Sequence, residues 1–123
     1  MFRFVVLHHL TPPGSPRGPH WDLMLERDGV LETWALDAPP LSETSQDAQK
    51  LDDHRVHYLD YEGPVSGDRG VVQRWDWGTY LLHDSHPGFR DVRLVGQRLT
   101  TRLVLRRGPN ETDRWSAHAT DTE

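Results

Sequence analysis

Pro19-His20-Trp21-Asp22-Leu23-Met24-Leu25-Glu26, followed by Arg27-Asp28-Gly29-Val30 and then Leu31-Glu32-Thr33-Trp34-Ala35-Leu36, decides how this chain is read. The apolar and aromatic content of the first stretch marks a strand, on which successive side chains alternate between faces. Asp28-Gly29 supplies the positive φ angles of a tight turn, so residues 30–36 return as an antiparallel partner with Trp34 as a core anchor. On this strand His20, Asp22, Met24 and Glu26 share one face, and Trp21, Leu23 and Leu25 the other. An imidazole and a carboxylate two residues apart on one face can both reach a single divalent cation. His20 and Asp22 are therefore half of a candidate metal site, against the plainer reading of a solvated polar face.

Outward from this hairpin, residues 2–9 form a short Phe- and Val-rich run that reads as a buried or barrel strand ending in His8-His9. Adjacent strand residues face opposite sides, so at most one of these histidines can join His20 and Asp22. Residues 10–19 hold four prolines and two glycines, which exclude a helix and predict a loop beside the site. Residues 37–49 read as a surface connection with at most one helical turn. The next dense stretch, 51–63, reads as a strand with His54, Val56 and Tyr58 on one face. After a glycine-bearing turn at 64–70, residues 71–80 predict a strand kinked or bulged at Gly78, and 83–88 a loop. Residues 91–95 and 99–106 read as strands joined at Gly96, and 115–118 as a last short strand before a polar tail that should fray. Many short strands, turn signals between them and almost no helical periodicity point to an all-β barrel or sandwich.

Bulk composition narrows the function. A length of 123 residues fits one domain, and five Trp, three Tyr and three Phe supply core material despite a mean hydropathy of -0.73. With no cysteine there can be no disulfide or thiolate metal site, leaving histidines and carboxylates as ligands. No apolar run is long enough for a membrane span and the first residues lack a signal-peptide pattern, so a cytoplasmic protein is expected. A formal charge of -5 argues against broad non-specific nucleic-acid binding. Arg90, Arg93, Arg98, Arg102, Arg106 and Arg107 nevertheless cluster, either as a local basic stripe or as outward-facing hairpin arginines.

Phe4-Val5-Val6 leading to His9, then His20-Trp21-Asp22, Leu25-Glu26 with Asp28-Gly29-Val30-Leu31, and Trp34-Ala35 stand in a telling order. Asp53-His54 with Tyr58, Asp60-Tyr61-Glu62-Gly63, Trp75-Asp76 with Gly78-Thr79, and Arg93-Leu94, Gly96, Arg98-Leu99 and Leu103-Val104-Leu105 follow. This succession resembles the 3′-phosphoesterase domain of bacterial DNA ligase D over nearly the whole chain. The resemblance implies a single closed or nearly closed β-barrel of roughly eight short antiparallel strands with little helix. The barrel is expected over 1–108, with the last short strand and frayed tail in 109–123. It implies a site dependent on Mn²⁺, or on Zn²⁺ or another divalent cation, with His9, His20 and Asp22 as metal ligands. His54 and Tyr58 would contact the scissile phosphate. The implied activity is trimming of DNA or RNA 3′ ends, removing a terminal phosphate or ribonucleoside during repair. The partners would be nucleic-acid 3′ ends and a ligase or polymerase of end-joining repair, with the protein itself monomeric and away from membranes.

Departures from that family set the competing reading. Met24 stands where a phosphate-clamping arginine is expected, Ala38 where a lysine is, and the arginine upstream of His54 is missing, with Lys50 the nearby substitute for phosphate binding. The family's N-terminal arm is expected to be absent, and the connection from His9 to His20 is longer. Losing a bidentate arginine at a phosphate typically costs about two or more powers of ten in rate. The alternative is thus a weakened module that binds nucleic-acid ends or phosphoesters and keeps its metal; a metal-stabilised barrel for a small molecule is a third.

Overall fold

The computed structural model describes residues 1–110 and 112–121. Nine strands follow one another: β1 (Phe2–Leu10), β2 (His20–Arg27), β3 (Val30–Leu36), β4 (Thr44–Arg55), β5 (Gly63–Pro64), β6 (Val71–His86), β7 (Phe89–Gly96), β8 (Thr100–Arg107) and β9 (Arg114–Thr120). A single 3₁₀ turn, Val56–Leu59, is the helical element among the described residues. Eight strands, in the order β1-β2-β3-β4-β9-β8-β7-β6, close into an antiparallel barrel through β1–β6 pairing, and β5 adds to the free edge of β6. The expected all-β barrel of about eight strands is the observed fold. No described helix is long and apolar enough to cross a membrane.

Alternation along β1 and β2 builds two cores from the same strands. Phe4, Val6, Leu23 and Leu25 point into the barrel, where they pack with Trp34, Tyr80, Leu94, Leu103 and Trp115. Val5, Leu7 and Met24 point outward and form a second cluster with Leu31 and Val72, covered by Leu59 and flanked by Tyr58, Tyr61 and Val65. The 3₁₀ turn and the segment after it therefore wrap the outside of β1 and β2 and roof the face that carries His9, His20 and Asp22.

Four expectations need correction. Residues 44–49, read as surface connection, belong to the 12-residue β4. Its sequence hides it: only Ala48 is fully buried, while Gln46 exchanges hydrogen bonds with the Ala38 backbone and Lys50 lies over the Trp34 ring. Residues 51–63 are not one strand either, since β4 ends at Arg55 and the chain turns into the 3₁₀ segment. Finally, residues 83–86 extend β6 rather than forming a loop, and the bulge lies at Trp75, not Gly78. Gly78 is needed for close approach, because a Cβ there would sit 2.1 Å from the Val95 carbonyl oxygen. Residues 115–118 fall within β9, which is a full stave between β4 and β8. The last two residues of the expected frayed tail, 122–123, lie outside the described residues.

Four of the six clustered arginines are engaged separately. Arg90 pairs with Glu32, Arg102 pairs with Asp91, and Arg98 and Arg106 lie over Trp75 and Phe89.

Candidate metal centre

β1 and β2 pair with His9 opposite His20, and Asp22 lies one strand pleat further along the same outer face. One ligand atom from each of His9, His20 and Asp22 lies within 4.8 Å of the others. His8 faces the other way and stacks on Trp21 with ring centroids 4.4 Å apart. Both site imidazoles are held at their far nitrogens by backbone. His20 Nδ1 donates to the Gly18 carbonyl at 2.9 Å, and His9 Nε2 donates to the Arg69 carbonyl at 2.7 Å. These contacts assign the tautomers and turn the lone pairs of His20 Nε2 and His9 Nδ1 toward Asp22. His20 Nε2 stands 3.2 Å from Asp22 Oδ1 and His9 Nδ1 3.6 Å from Oδ2.

Such a cluster is short of positive charge at its centre. Asp22 is buried, and its Oδ1 has no hydrogen-bond partner among the described residues, because a neutral His20 in this tautomer offers it only a lone pair. A proton or a cation resolves the conflict. Through protons, the hydrogen bond with Asp22 raises the His9 pKa despite partial burial. Burial pushes the Asp22 carboxyl up, but hydrogen bonds from His20 and His9 outweigh it and leave the group below its usual range. Two imidazoles and one carboxylate, the latter with an orphaned buried oxygen, fit a divalent cation such as Mn²⁺ or Zn²⁺.

Beside the triad opens a cavity of about 250 Å³ lined by Leu7, His9, Asp22, Met24, Asp53, His54, Arg55, Tyr58, Val65, Arg69 and Val72. His54 and Tyr58 are thus brought to the triad, their rings edge to face at 5.7 Å. The route differs from strand alternation. A bulge opposes Asp52-Asp53 to Glu32 alone, so His54 pairs with Leu31 on the outer face, and Tyr58 follows one 3₁₀ turn later. His54 Nδ1 donates to the Asp52 carbonyl at 2.8 Å, so Nε2 is the nitrogen that this contact does not engage.

Lys50 is placed elsewhere. It pairs with Trp34 on the inner side of the bulge, stacks its Nζ 5.3 Å from that ring, and approaches Asp53 at 3.8 Å, and it does not line the cavity. Glu26 is bound by Arg3 at the outer surface. Met24 is 1% exposed and packed in the outer cluster, so the cavity is apolar where a clamping arginine was looked for. The cations that do line it, Arg55 and Arg69, were not anticipated. Gly67-Asp68-Arg69-Gly70 reads in the sequence as a turn and nothing more, and its backbone carries the His9 contact.

The model of the DNA Ligase D 3'-phosphoesterase domain family matches residues 14–107. The chain belongs to that family. It is 39% identical over 94% of its length to the multifunctional non-homologous end joining protein LigD of Mycobacterium bovis. It is 31% identical over 94% of its length to the LigD protein of Mycolicibacterium smegmatis, and 32% identical over 70% to that of Pseudomonas aeruginosa. It spans 15%, 16% and 11% of those proteins, so it corresponds to one portion of each. The matched stretch contains His20, Asp22, His54 and Tyr58, while His9 enters the site through β1 pairing.

Proposed function

We propose that this protein is a metal-dependent phosphoesterase that trims nucleic-acid 3′ ends, removing a terminal phosphate or ribonucleoside in end-joining repair. The observation that carries the reading is the buried, unpartnered Asp22 Oδ1 facing two backbone-anchored imidazoles at the wall of a cavity that also holds His54 and Tyr58. His9, His20 and Asp22 would hold the cation, for which we favour Mn²⁺. A bound divalent cation supplies charge stabilisation to a phosphoryl oxygen.

The remaining steps fall to the chain's own groups. With Nδ1 tied to the Asp52 carbonyl, His54 uses Nε2 to donate a hydrogen bond to phosphate or to move a proton during ester cleavage. The Tyr58 hydroxyl, beside it, positions a phosphate oxygen. The Gly18 and Arg69 carbonyls keep His20 and His9 from rotating away from Asp22. A nucleic-acid 3′ end is the substrate, and a ligase or polymerase of end-joining repair the protein partner.

The test is release of phosphate from a 3′-phosphate primer-template with Mn²⁺. His20→Ala is expected to lower the rate by at least about 100-fold; equal product from the two proteins refutes the catalytic reading. Met24 favours a second reading, a binding module that keeps the metal but does not cut, because it makes one cavity wall apolar. Retention of a 3′-phosphate strand without turnover would select it.

A further inference from the structure

The cavity beside the metal triad needs fixed positive charge to hold a phosphate. We propose that Arg69, assisted by Arg55, supplies it from the wall formed by the β5–β6 turn and the end of β4, replacing a cation at Met24. The inference deepens the phosphoesterase reading and rests on it. The ligand class is a phosphoryl group at a strand end.

Arg69 is built into the site. Val65 N–H donates to the Gly70 carbonyl at 2.8 Å and closes the turn, which passes through left-handed residues Gly67, Asp68 and Gly70. Gly70 lies so close to β1 that a Cβ would come within 2.0 Å of the Leu10 carbonyl oxygen, and the Arg69 carbonyl receives His9 Nε2. One residue therefore orients a candidate metal ligand with its backbone and is itself among the residues that line the adjoining cavity. The guanidinium is steadied by Nε and Nη2 hydrogen bonds to the Ser66 carbonyl and hydroxyl at 2.7 and 3.1 Å, leaving other donors of the planar fork for a phosphate. Arg55 ends β4, where the chain turns into the 3₁₀ segment, and is among the residues lining the same cavity, without an ion-pair partner among the described residues. Of the two lining carboxylates, Asp22 faces His9 and His20 at 3.6 and 3.2 Å, and Asp53 approaches Lys50.

The experiment compares wild type with Arg69→Gln, Arg69→Lys, Arg55→Gln and the Arg55→Gln/Arg69→Gln double variant, using the 3′-phosphate primer-template and Mn²⁺. The double variant is expected to lose at least about 100-fold in kcat/KM, and Arg69→Lys to keep part of what Arg69→Gln loses. Mn²⁺ affinity, read by electron paramagnetic resonance, is expected to hold in all four, since the Arg69 carbonyl survives substitution. An unchanged kcat/KM in the double variant overturns the proposal. So does loss of Mn²⁺ binding in parallel with activity, which would make Arg69 a structural support alone. If the wild type does not cleave, the phosphoesterase reading fails by itself, and fluorescence anisotropy then decides this one. Preferential binding of a 3′-phosphate over a 3′-hydroxyl oligonucleotide, lost in the double variant, supports it; no preference, or a preference that survives, overturns it.

Discussion

At the residue scale the site is governed by what faces Asp22. Its carboxylate meets two imidazoles whose outer nitrogens are already committed to carbonyls, so protons and the proposed cation would compete for the same lone pairs. Because the hydrogen bond to Asp22 raises the His9 pKa, His9 keeps its proton to higher pH than an ordinary imidazole. Mn²⁺ affinity should therefore weaken as pH falls, starting above the usual histidine value of about 6.5. Titration calorimetry across about pH 5 to 8 checks this; an affinity flat over that range would contradict it. Asp22→Asn should weaken Mn²⁺ by about 100-fold, since it would remove the one charged group of the proposed cation site. His20 and Asp22 were legible in the sequence because strand period alone aligns them. Choosing His9 over His8 needed the family resemblance, and the pairing of His9 with His20 gives the physical reason. Arg69 was not legible, because a turn built on positive φ angles gives no periodic signal for side-chain direction.

At the scale of elements, β4 shows where sequence reading lost its grip. A strand is visible when alternate residues are apolar, but β4 meets the barrel interior with Ala48, the Gln46 amide and the Lys50 stem, which cover Trp34 and the Ala38 backbone by other means. Lys50 and His54 are four apart and would share a face on a regular strand; the extra residue at Asp52-Asp53 separates them. Deleting Asp53 alone would leave His54 opposite Leu31, but deleting Asp52 and Asp53 together should place it opposite Glu32 on the inner face. We expect product formation to fall by about 100-fold or more, the range lost with a general acid or base, while Mn²⁺ still binds because β1 and β2 are untouched. A variant that keeps its activity would show that the bulge does not position His54.

For the whole molecule, barrel closure depends on a few buried polar groups remote from the metal triad. Fully buried Asp76 accepts backbone N–H bonds from Trp77, Gln97, Arg98 and Leu99 at 2.7–3.0 Å, tying β6 to the β7–β8 turn. Asp76→Ala would strand those donors, at a cost of about 3 kcal/mol or more. Glu32 does comparable work across the barrel mouth, where Arg90 of β7 grips it at 3.0 and 2.9 Å and Arg27 stands 3.6 Å away. Burial pushes its carboxyl pKa up, but the hydrogen bonds and charge of Arg90, with the charges of Arg27 and Lys50, outweigh it and hold the group below its ordinary value. A depressed folded-state pKa means that the pair stabilises the barrel above the unfolded carboxyl pKa of about 4.3 and ceases to do so as pH falls through the folded value. Glu32→Gln should therefore lower neutral-pH stability by roughly 2 kcal/mol, and its denaturation midpoint should converge on that of wild type in acid. Since Glu32 faces the barrel interior and the triad the outer wall, Mn²⁺ affinity at neutral pH should not change. A variant whose deficit persisted undiminished at pH about 3 would show that packing, not the carboxylate's charge, joins β3 to β7.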